Sequence, residues 1–168
     1  VALRPDGAAI LTQRNTNKPA ATSVRFVGAS QQSSPAPHEP LPGKVNYFLG
    51  SDRSKWRTDV PTYARVEFPA IYPGIDAVYH GNEGRLEFDF VVRPGANARS
   101  IRMQFSGADR PRLTSNGDLE VGAIVQHKPV AYQKRGENER VTVACRYVLS
   151  KSGEATLELG SYDRQQPL

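Results

Sequence analysis

The sequence predicts an all-β fold, mainly antiparallel, built as a β-sandwich or a distorted open barrel with many hairpins. Three observations predict it. Apolar and polar residues alternate with period two in short segments, which is typical of strands with two different faces. The chain has 14 glycines and 13 prolines, and turn residues separate those segments at a spacing of roughly ten residues. No segment carries a convincing amphipathic-helix pattern of useful length.

The clearest strands lie in the central segment Val60–Gly95. Every even position of Arg85–Val92 is apolar, whereas its odd positions begin with charged residues. Ile75–His80 alternates in the same way, and Gly81-Asn82-Glu83-Gly84 between them tolerates the positive φ of a tight turn. The two segments are therefore predicted to form an antiparallel hairpin. Tyr63–Phe68 is a third predicted strand, and we expect the prolines that follow it to interrupt it.

The N-terminal part is predicted to contain shorter strands and a long loop. We expect a hairpin over Val1–Gln13, with its turn at Pro5-Asp6-Gly7, and strands at Ser23–Val27 and Val45–Gly50. Between these strands, Gly28–Gly43 is polar and rich in proline and serine. This composition predicts a flexible loop over residues 28–43.

The remaining segments continue the pattern of short strands and turns. Ser51–Asp59 is predicted to form one helical turn, or a loop with the indole of Trp56 packed inward. Arg140–Leu149 is predicted to be the longest uninterrupted strand, and Tyr162–Leu168 is expected to trail out. The other predicted elements are a strand over Ile101–Phe105, a hairpin at Asn116-Gly117, an edge strand within Gly122–Gln133, a turn at Gly136-Glu137-Asn138-Glu139 and a strand at Ala155–Leu159.

Length, charge and cysteine content favour one ordinary β-rich domain over residues 1–168. The net charge is +5 and the basic residues are scattered, so we expect a solvated basic surface and no specific nucleic-acid partner. No apolar run of about 18 residues occurs, so no membrane span is predicted. Cys145 is the only cysteine and is predicted to be a small buried hydrophobic residue. The chain opens within a strand-like pattern and shows no signal peptide, so we expect a mature or excised fragment.

The segment Val45–Ala96 resembles a bacterial domain of unknown function that typically lies ahead of SBBP-type β-propeller repeats in large exported proteins. The resemblance is most specific in Tyr72-Pro73-Gly74-Ile75-Asp76 and Leu86-Glu87-Phe88-Asp89-Phe90, and Leu157–Leu168 fits the same pattern. It implies that the chain is part of a longer exported polypeptide, in a secreted or cell-surface setting. It also implies a non-catalytic accessory role, with no catalytic residues to carry over.

Two neighbouring carboxylates form the only constellation that suggests catalysis. Glu87 and Asp89 lie on one face of one strand, about 6.5–7 Å apart at the usual rise of a strand, and a glycoside hydrolase could use such a pair. Outward carboxylates facing cross-strand Arg or Lys explain the pattern better. With Asp76 and His80 on the neighbouring strand they could form an acidic patch for Ca²⁺, but no calcium-loop spacing occurs. We therefore predict no metal, no cofactor and no catalytic residue.

Aromatic residues suggest a second alternative, a carbohydrate-binding module. Aromatic rings that pair an apolar face with a polar tip can stack on sugars, and polysaccharide would then be the partner. The same residues could equally fill a sandwich core or its rim. The candidate residues are Trp56, Tyr63, Tyr72, Tyr79 and Tyr132.

The sequence therefore favours an extracellular bacterial module that serves assembly or interaction. Its predicted partners are the neighbouring propeller or other domains of the same polypeptide. Sheet edges or an exposed face would make the contact, because unpaired backbone groups along an edge invite pairing. The residues predicted to form a binding surface are Trp56, Tyr63, Tyr72, Asp76, Tyr79, Glu87 and Asp89.

Overall fold

A computed structural model of the chain describes residues 1–12, 20–82, 84–107, 110–122, 124–136 and 139–168. These residues form fifteen strands and two single-turn 3-10 helices, at Arg53–Lys55 and Ala98–Ser100. The strands are β1 (Ala2–Arg4), β2 (Gly7–Thr12), β3 (Ala20–Phe26), β4 (Ala36–Tyr47), β5 (Arg57–Tyr72), β6 (Ile75–Asn82), β7 (Arg85–Val92), β8 (Arg102–Ser106), β9 (Arg112–Leu113), β10 (Leu119–Val121), β11 (Ile124–Gln126), β12 (Ala131–Arg135), β13 (Glu139–Val143), β14 (Cys145–Leu149) and β15 (Glu154–Leu159).

The strands form open, antiparallel sheets. The large sheet has the order β1-β2-β3-β8-β15-β14, and a four-stranded sheet has the order β4-β5-β6-β7. Two small sheets, β11-β10-β9 and β12-β13, complete the described part of the chain. Every strand pair described is antiparallel, and none of these sheets closes on itself. The predicted all-β, mainly antiparallel class is confirmed, in its sandwich form.

The large sheet packs against the four-stranded sheet through aromatic side chains. The ring of Phe26 on β3 lies 4.9 Å from the ring of Phe90 and 5.4 Å from that of Phe88, both on β7. The ring of Tyr79 on β6 lies 5.7 Å from that of Phe68 on β5. Small residues of the core, such as Ala77, let the layers approach. The apolar positions of the alternating segments therefore form the inward face of this sandwich.

The central hairpins follow the turn chemistry of the sequence. β6 and β7 form the predicted antiparallel hairpin, in the register His80↔Glu87 and Ile75↔Val92. Gly81 and Asn82 were predicted as turn residues, but they belong to β6. β5 and β6 meet at Pro73-Gly74, where Gly74 has φ 71°, a conformation that suits the second central position of a type II turn. A Cβ on Gly74 would lie 2.8 Å from the Cβ of Ala96. The turn therefore requires glycine at position 74 both for its positive φ and for the space that a Cβ would occupy.

The predicted flexible loop over residues 28–43 is wrong in its second half, because Ala36–Gly43 belongs to strand β4. The proline residues are tolerated because β4 is an edge strand, where a missing N–H costs little. The first half is a loop that is bonded to β5: the Ser30 amide donates to the Ile71 carbonyl at 2.7 Å, and the Ser33 hydroxyl donates to the Pro69 carbonyl at 2.6 Å. β5 also continues past Pro69, with a register shift between Phe68 and Tyr72.

Two predictions for the C-terminal part are also wrong. Arg140–Leu149 is not one strand: β13 pairs with β12, and β14 pairs with β15, on either side of Ala144. A strand can change its partner without changing its alternation, so the sequence pattern did not reveal the break. The final segment does not trail out, because Leu168 and Val92 exchange two backbone hydrogen bonds of 2.8 and 2.9 Å. Parts of four predicted elements lie outside the described residues: Gln13 of the N-terminal hairpin, Glu83 and residues 137–138 of two turns, and Ala123 of the edge strand.

Candidate functional site

The most prominent surface feature is a two-stranded ribbon formed by residues 39–64, which we call the arm. β4 and β5 pair from Ala36↔Glu67 to Tyr47↔Arg57, whereas β6 pairs with β5 only from Arg65 onward. Beyond Arg65 the ribbon therefore has no third strand. Every β4 residue from Pro37 to Tyr47 is exposed. The arm is a projection with solvent on both faces.

Apolar side chains are concentrated on this arm. Six of the thirteen large apolar side chains exposed among the described residues belong to it, including Phe48 at 59% and Leu49 at 65% exposure. The others on the arm are Leu41, Val45, Tyr47 and Tyr63. Single exposed apolar residues are normal on a protein surface, but a cluster of them marks an interaction site. The arm is thus the strongest candidate for a contact surface.

The tip of the arm is an ordered structure. The Trp56 indole donates to the Gly50 carbonyl at 3.1 Å, and its ring meets the Phe48 ring edge-to-face at 5.0 Å. Asp52 caps the helical turn by accepting from the Ser54 amide at 3.0 Å and from the Ser54 hydroxyl at 2.7 Å. These hydrogen bonds lower the pKa of the Asp52 carboxyl. A surface with a fixed shape loses less entropy on binding.

The arm also carries charged residues. Lys44 lies 3.6 Å from Asp59, and Lys55 lies 3.5 Å from Asp52. Arg53 stacks over the Trp56 ring at 5.5 Å. The arm therefore presents both apolar and charged side chains to solvent, and protein interfaces use both kinds of side chain.

The arm offers side chains rather than backbone to a partner. β4 carries Pro37, Pro40 and Pro42, which have no N–H to donate to an added strand. Prolines on an edge strand are a common protection against unwanted pairing. A partner would therefore meet the faces of the arm.

The predicted sugar-stacking residues do not come together. Trp56 and Tyr63 lie on the arm, but Tyr72 and Tyr79 are buried in the sandwich core, where their hydroxyls donate to the backbone carbonyls of Val27 and Arg4. Burial raises the pKa of both tyrosines above the ordinary value. The guanidinium of Arg140 covers the ring of Tyr132 at 4.3 Å. The platform proposed from the sequence is therefore wrong for Tyr72 and Tyr79.

Glu87 and Asp89 lie on the outer face of the four-stranded sheet, as predicted, but their cross-strand neighbour is a histidine rather than Arg or Lys. The Nε2 of His80 lies 3.0 Å from a carboxylate oxygen of Asp89, and its Nδ1 lies 4.0 Å from one of Glu87. The side-chain amide of Asn82 donates to Glu87 at 2.9 Å. Both carboxylates thus take part in cross-strand pairs, which supports the structural interpretation of this motif.

Asp76 belongs to a separate site at the bulge of β5. Its carboxylate is buried and accepts from the Arg93 guanidinium at 2.9–3.1 Å and from the Ala70 amide at 2.7 Å. It therefore does not join Glu87 and Asp89 in an acidic patch. Among the described residues, no group of three or more His, Cys, Asp or Glu side chains is placed to hold a metal ion.

Sequence analysis missed the apolar residues of the arm tip and a cleft near the C-terminus. Tyr47-Phe48-Leu49 is an apolar run, which is typical of buried residues, so the sequence did not indicate that these side chains are exposed. The cleft, of about 460 Å³, lies between the β12–β13 hairpin and residues 161–166. The amide of buried Gln133 at its edge is already bonded to the backbone of Asp163.

Cys145 is half-buried, and burial raises the pKa of its thiol from 9.0 to about 11. Because the thiolate is the reactive form, we expect alkylation of Cys145 by iodoacetamide at pH 8 to be about 100-fold slower than that of a free thiol. Mass spectrometry of the native protein measures the rate. The same protein unfolded in guanidinium should react at the rate of the free thiol, and a fast native reaction would contradict the prediction.

The family of the chain follows from its sequence as a whole. A family model described as "Domain of unknown function (DUF7948)" matches residues 5–168. The chain belongs to this family. No curated protein and no solved structure matches it. Among the described residues of this DUF7948 domain, no helix is long and apolar enough to cross a membrane.

Proposed function

We propose that the chain is a non-catalytic structural module of a longer exported bacterial protein, and that its arm docks onto the neighbouring domain. The observation that carries the proposal is the cluster of exposed apolar side chains on residues 39–64. The partner is a domain of the same polypeptide, and the resemblance noted in the sequence favours an SBBP-type propeller. The same resemblance favours a secreted or cell-surface setting.

The energetics of the arm support a docking role. Burying a large apolar side chain stabilises a complex by about 1.5–3 kcal/mol relative to leaving it in water. Phe48 and Leu49 leave more than half of their surface exposed, so each has most of that energy still to gain. A covalently linked partner is present at high effective concentration, so a patch of modest size is sufficient.

The proposal predicts that the neighbouring domain stabilises the module through the arm. We expect the longer polypeptide, with the module and the following domain, to unfold at a higher temperature than the module alone. Phe48→Ser with Leu49→Ser should remove this gain. In the isolated module we expect a loss of only about 0.5–1.5 kcal/mol, because both side chains are exposed there and Phe48 loses its edge-to-face contact with Trp56. Differential scanning calorimetry of the four proteins measures the effect.

Val130→Ser is the matched control, because Val130 is 77% exposed and lies outside the arm. We expect it to leave the gain intact. The docking role is wrong if the longer polypeptide shows no gain in stability and no slower hydrogen exchange in residues 39–64.

A further inference from the structure

The outer edge of β7 is unprotected over most of its length. Val92 directs both its N–H and its C=O away from β6, toward Leu168. Backbone groups along a strand alternate in direction, so Leu86, Phe88 and Phe90 point theirs outward as well. None of these outward groups has a hydrogen-bond partner among the described residues. They are a template for one more strand.

The contact between Leu168 and Val92 is the first step of such a strand. The Val92 amide donates to the Leu168 carbonyl at 2.8 Å, and the Leu168 amide donates back to the Val92 carbonyl at 2.9 Å. A reciprocal pair of this kind is the closely spaced pair of an antiparallel ladder. Gln133 fixes the segment that leads to Leu168. Its side-chain nitrogen donates to the Asp163 carbonyl, and its side-chain oxygen accepts from the Asp163 amide.

We propose that the free edge of β7 accepts a fifth strand, formed by the residues that follow Leu168 in the longer polypeptide. This inference rests on the proposed function, in which the chain is one module of that polypeptide. Antiparallel pairing fixes the register: the second residue after Leu168 lies opposite Phe90, the fourth opposite Phe88, and the sixth opposite Leu86. The fifth strand would anchor the linker to the next domain.

The side-chain environment specifies the chemistry of the added strand. Leu168 is partly buried and packs against the core, so the second, fourth and sixth residues after it face the same way. Their neighbours Leu86, Phe88 and Phe90 are only partly buried. An apolar cavity of about 30 Å³ next to Leu86 and Phe88 also lies on this side. These three positions therefore take apolar residues, and the positions between them face solvent.

The two edges of the four-stranded sheet differ in a way that supports this assignment. β4 contains three prolines, whereas β7, with the sequence RLEFDFVV, contains none. Proline protects an edge from pairing. Only the β7 edge of this sheet is therefore competent to bind another strand along its length.

Amide hydrogen exchange, followed by NMR, tests the inference in the longer polypeptide and in the chain that ends at Leu168. We expect the amides of Leu86, Phe88 and Phe90 to exchange about tenfold or more slowly in the longer polypeptide. The amides of Glu87 and Asp89 point toward β6 and serve as internal controls, with no change. Unprotected amides at Leu86, Phe88 and Phe90 in the longer polypeptide would overturn the inference.

A pair of proline substitutions in the following segment tests the register. Proline at the second residue after Leu168 removes an N–H that points at β7, and we expect the protection to be lost. Proline at the third residue removes an N–H that points away and should leave protection in place. If calorimetry shows that the neighbouring domain stabilises the module while these amides stay unprotected, the fifth strand is wrong and the docking role stands. If neither effect occurs, both are wrong.

Discussion

Tyr79→Ala is expected to lower the free energy of unfolding by about 3–5 kcal/mol. Tyr79 is only 1% exposed, and it has the largest of the fully buried side chains. Its ring contacts Phe26 of the large sheet and Phe68 and Phe88 of the four-stranded sheet. Truncation therefore removes apolar contacts from both layers and leaves a cavity between them. Urea denaturation followed by circular dichroism measures the loss.

Two further variants show how much of this loss comes from the hydroxyl of Tyr79 and how much from its buried position. Tyr79→Phe removes only the O–H bond to the Arg4 carbonyl, which is 3.3 Å long, so we expect a loss of about 0.5–1.5 kcal/mol. Tyr63→Ala truncates a tyrosine that is exposed on the arm, and its effect should stay within about 0.5 kcal/mol. Equal losses for Tyr63→Ala and Tyr79→Ala would show that the sheets are not packed around Tyr79.

The sequence predicts the local part of this fold well, because hairpins depend on neighbouring residues. The bounds of β7, Arg85–Val92, agree with the predicted strand, since period-two alternation and the flanking turn residues mark both ends. The sequence also predicts that β6 pairs antiparallel with β7, but not the register: β6 continues to Asn82, so His80 pairs with Glu87. The position of His80 between the two carboxylates is a consequence of that register.

The order of the large sheet could not be predicted in the same way. β3 pairs with β8, and β8 pairs with β15, across long separations in sequence. Alternation shows which face of a strand is apolar, but it carries no information about which distant strand lies beside it. The first part of strand β4, before the predicted strand at Val45, was missed for a different reason. Proline-rich composition is typical of loops and also of a protected edge strand.

Some features of the candidate site could be predicted from the sequence, and others could not. The alternation of Ile75–His80 already groups Tyr79 with Ile75 and Ala77, so its burial could have been predicted, although it was also proposed as a surface residue. The arm could not be predicted, because its exposure depends on where β6 stops pairing with β5. That point is set by tertiary packing rather than by any residue of the arm itself.

Asp76→Ala is expected to destabilise the domain by about 2–4 kcal/mol, because charged hydrogen bonds are lost and a donor is left without its partner. Asp76 is 4% exposed, and it bonds Arg93 through both carboxylate oxygens. It also accepts from the amide of Ala70, which has φ 52°. A residue other than glycine in this region costs about 1–2 kcal/mol of backbone strain. Asp76 therefore forms an ion pair with Arg93 and also stabilises a strained bulge in β5.

Denaturant titrations of a small set of variants separate these two contributions. Asp76→Asn keeps an oxygen for the Ala70 amide but loses the charge that Arg93 binds, so we expect a smaller loss than for alanine. Ala70→Gly relieves the positive φ and should recover about 1 kcal/mol in the Asp76→Ala background. Asp89→Ala, which removes an exposed carboxylate next to His80, should cost less than about 1 kcal/mol. If Asp76→Ala costs no more than Asp89→Ala, the carboxylate does not stabilise the bulge, and the strain at Ala70 must be compensated by the packing of Phe68 and Tyr72 alone.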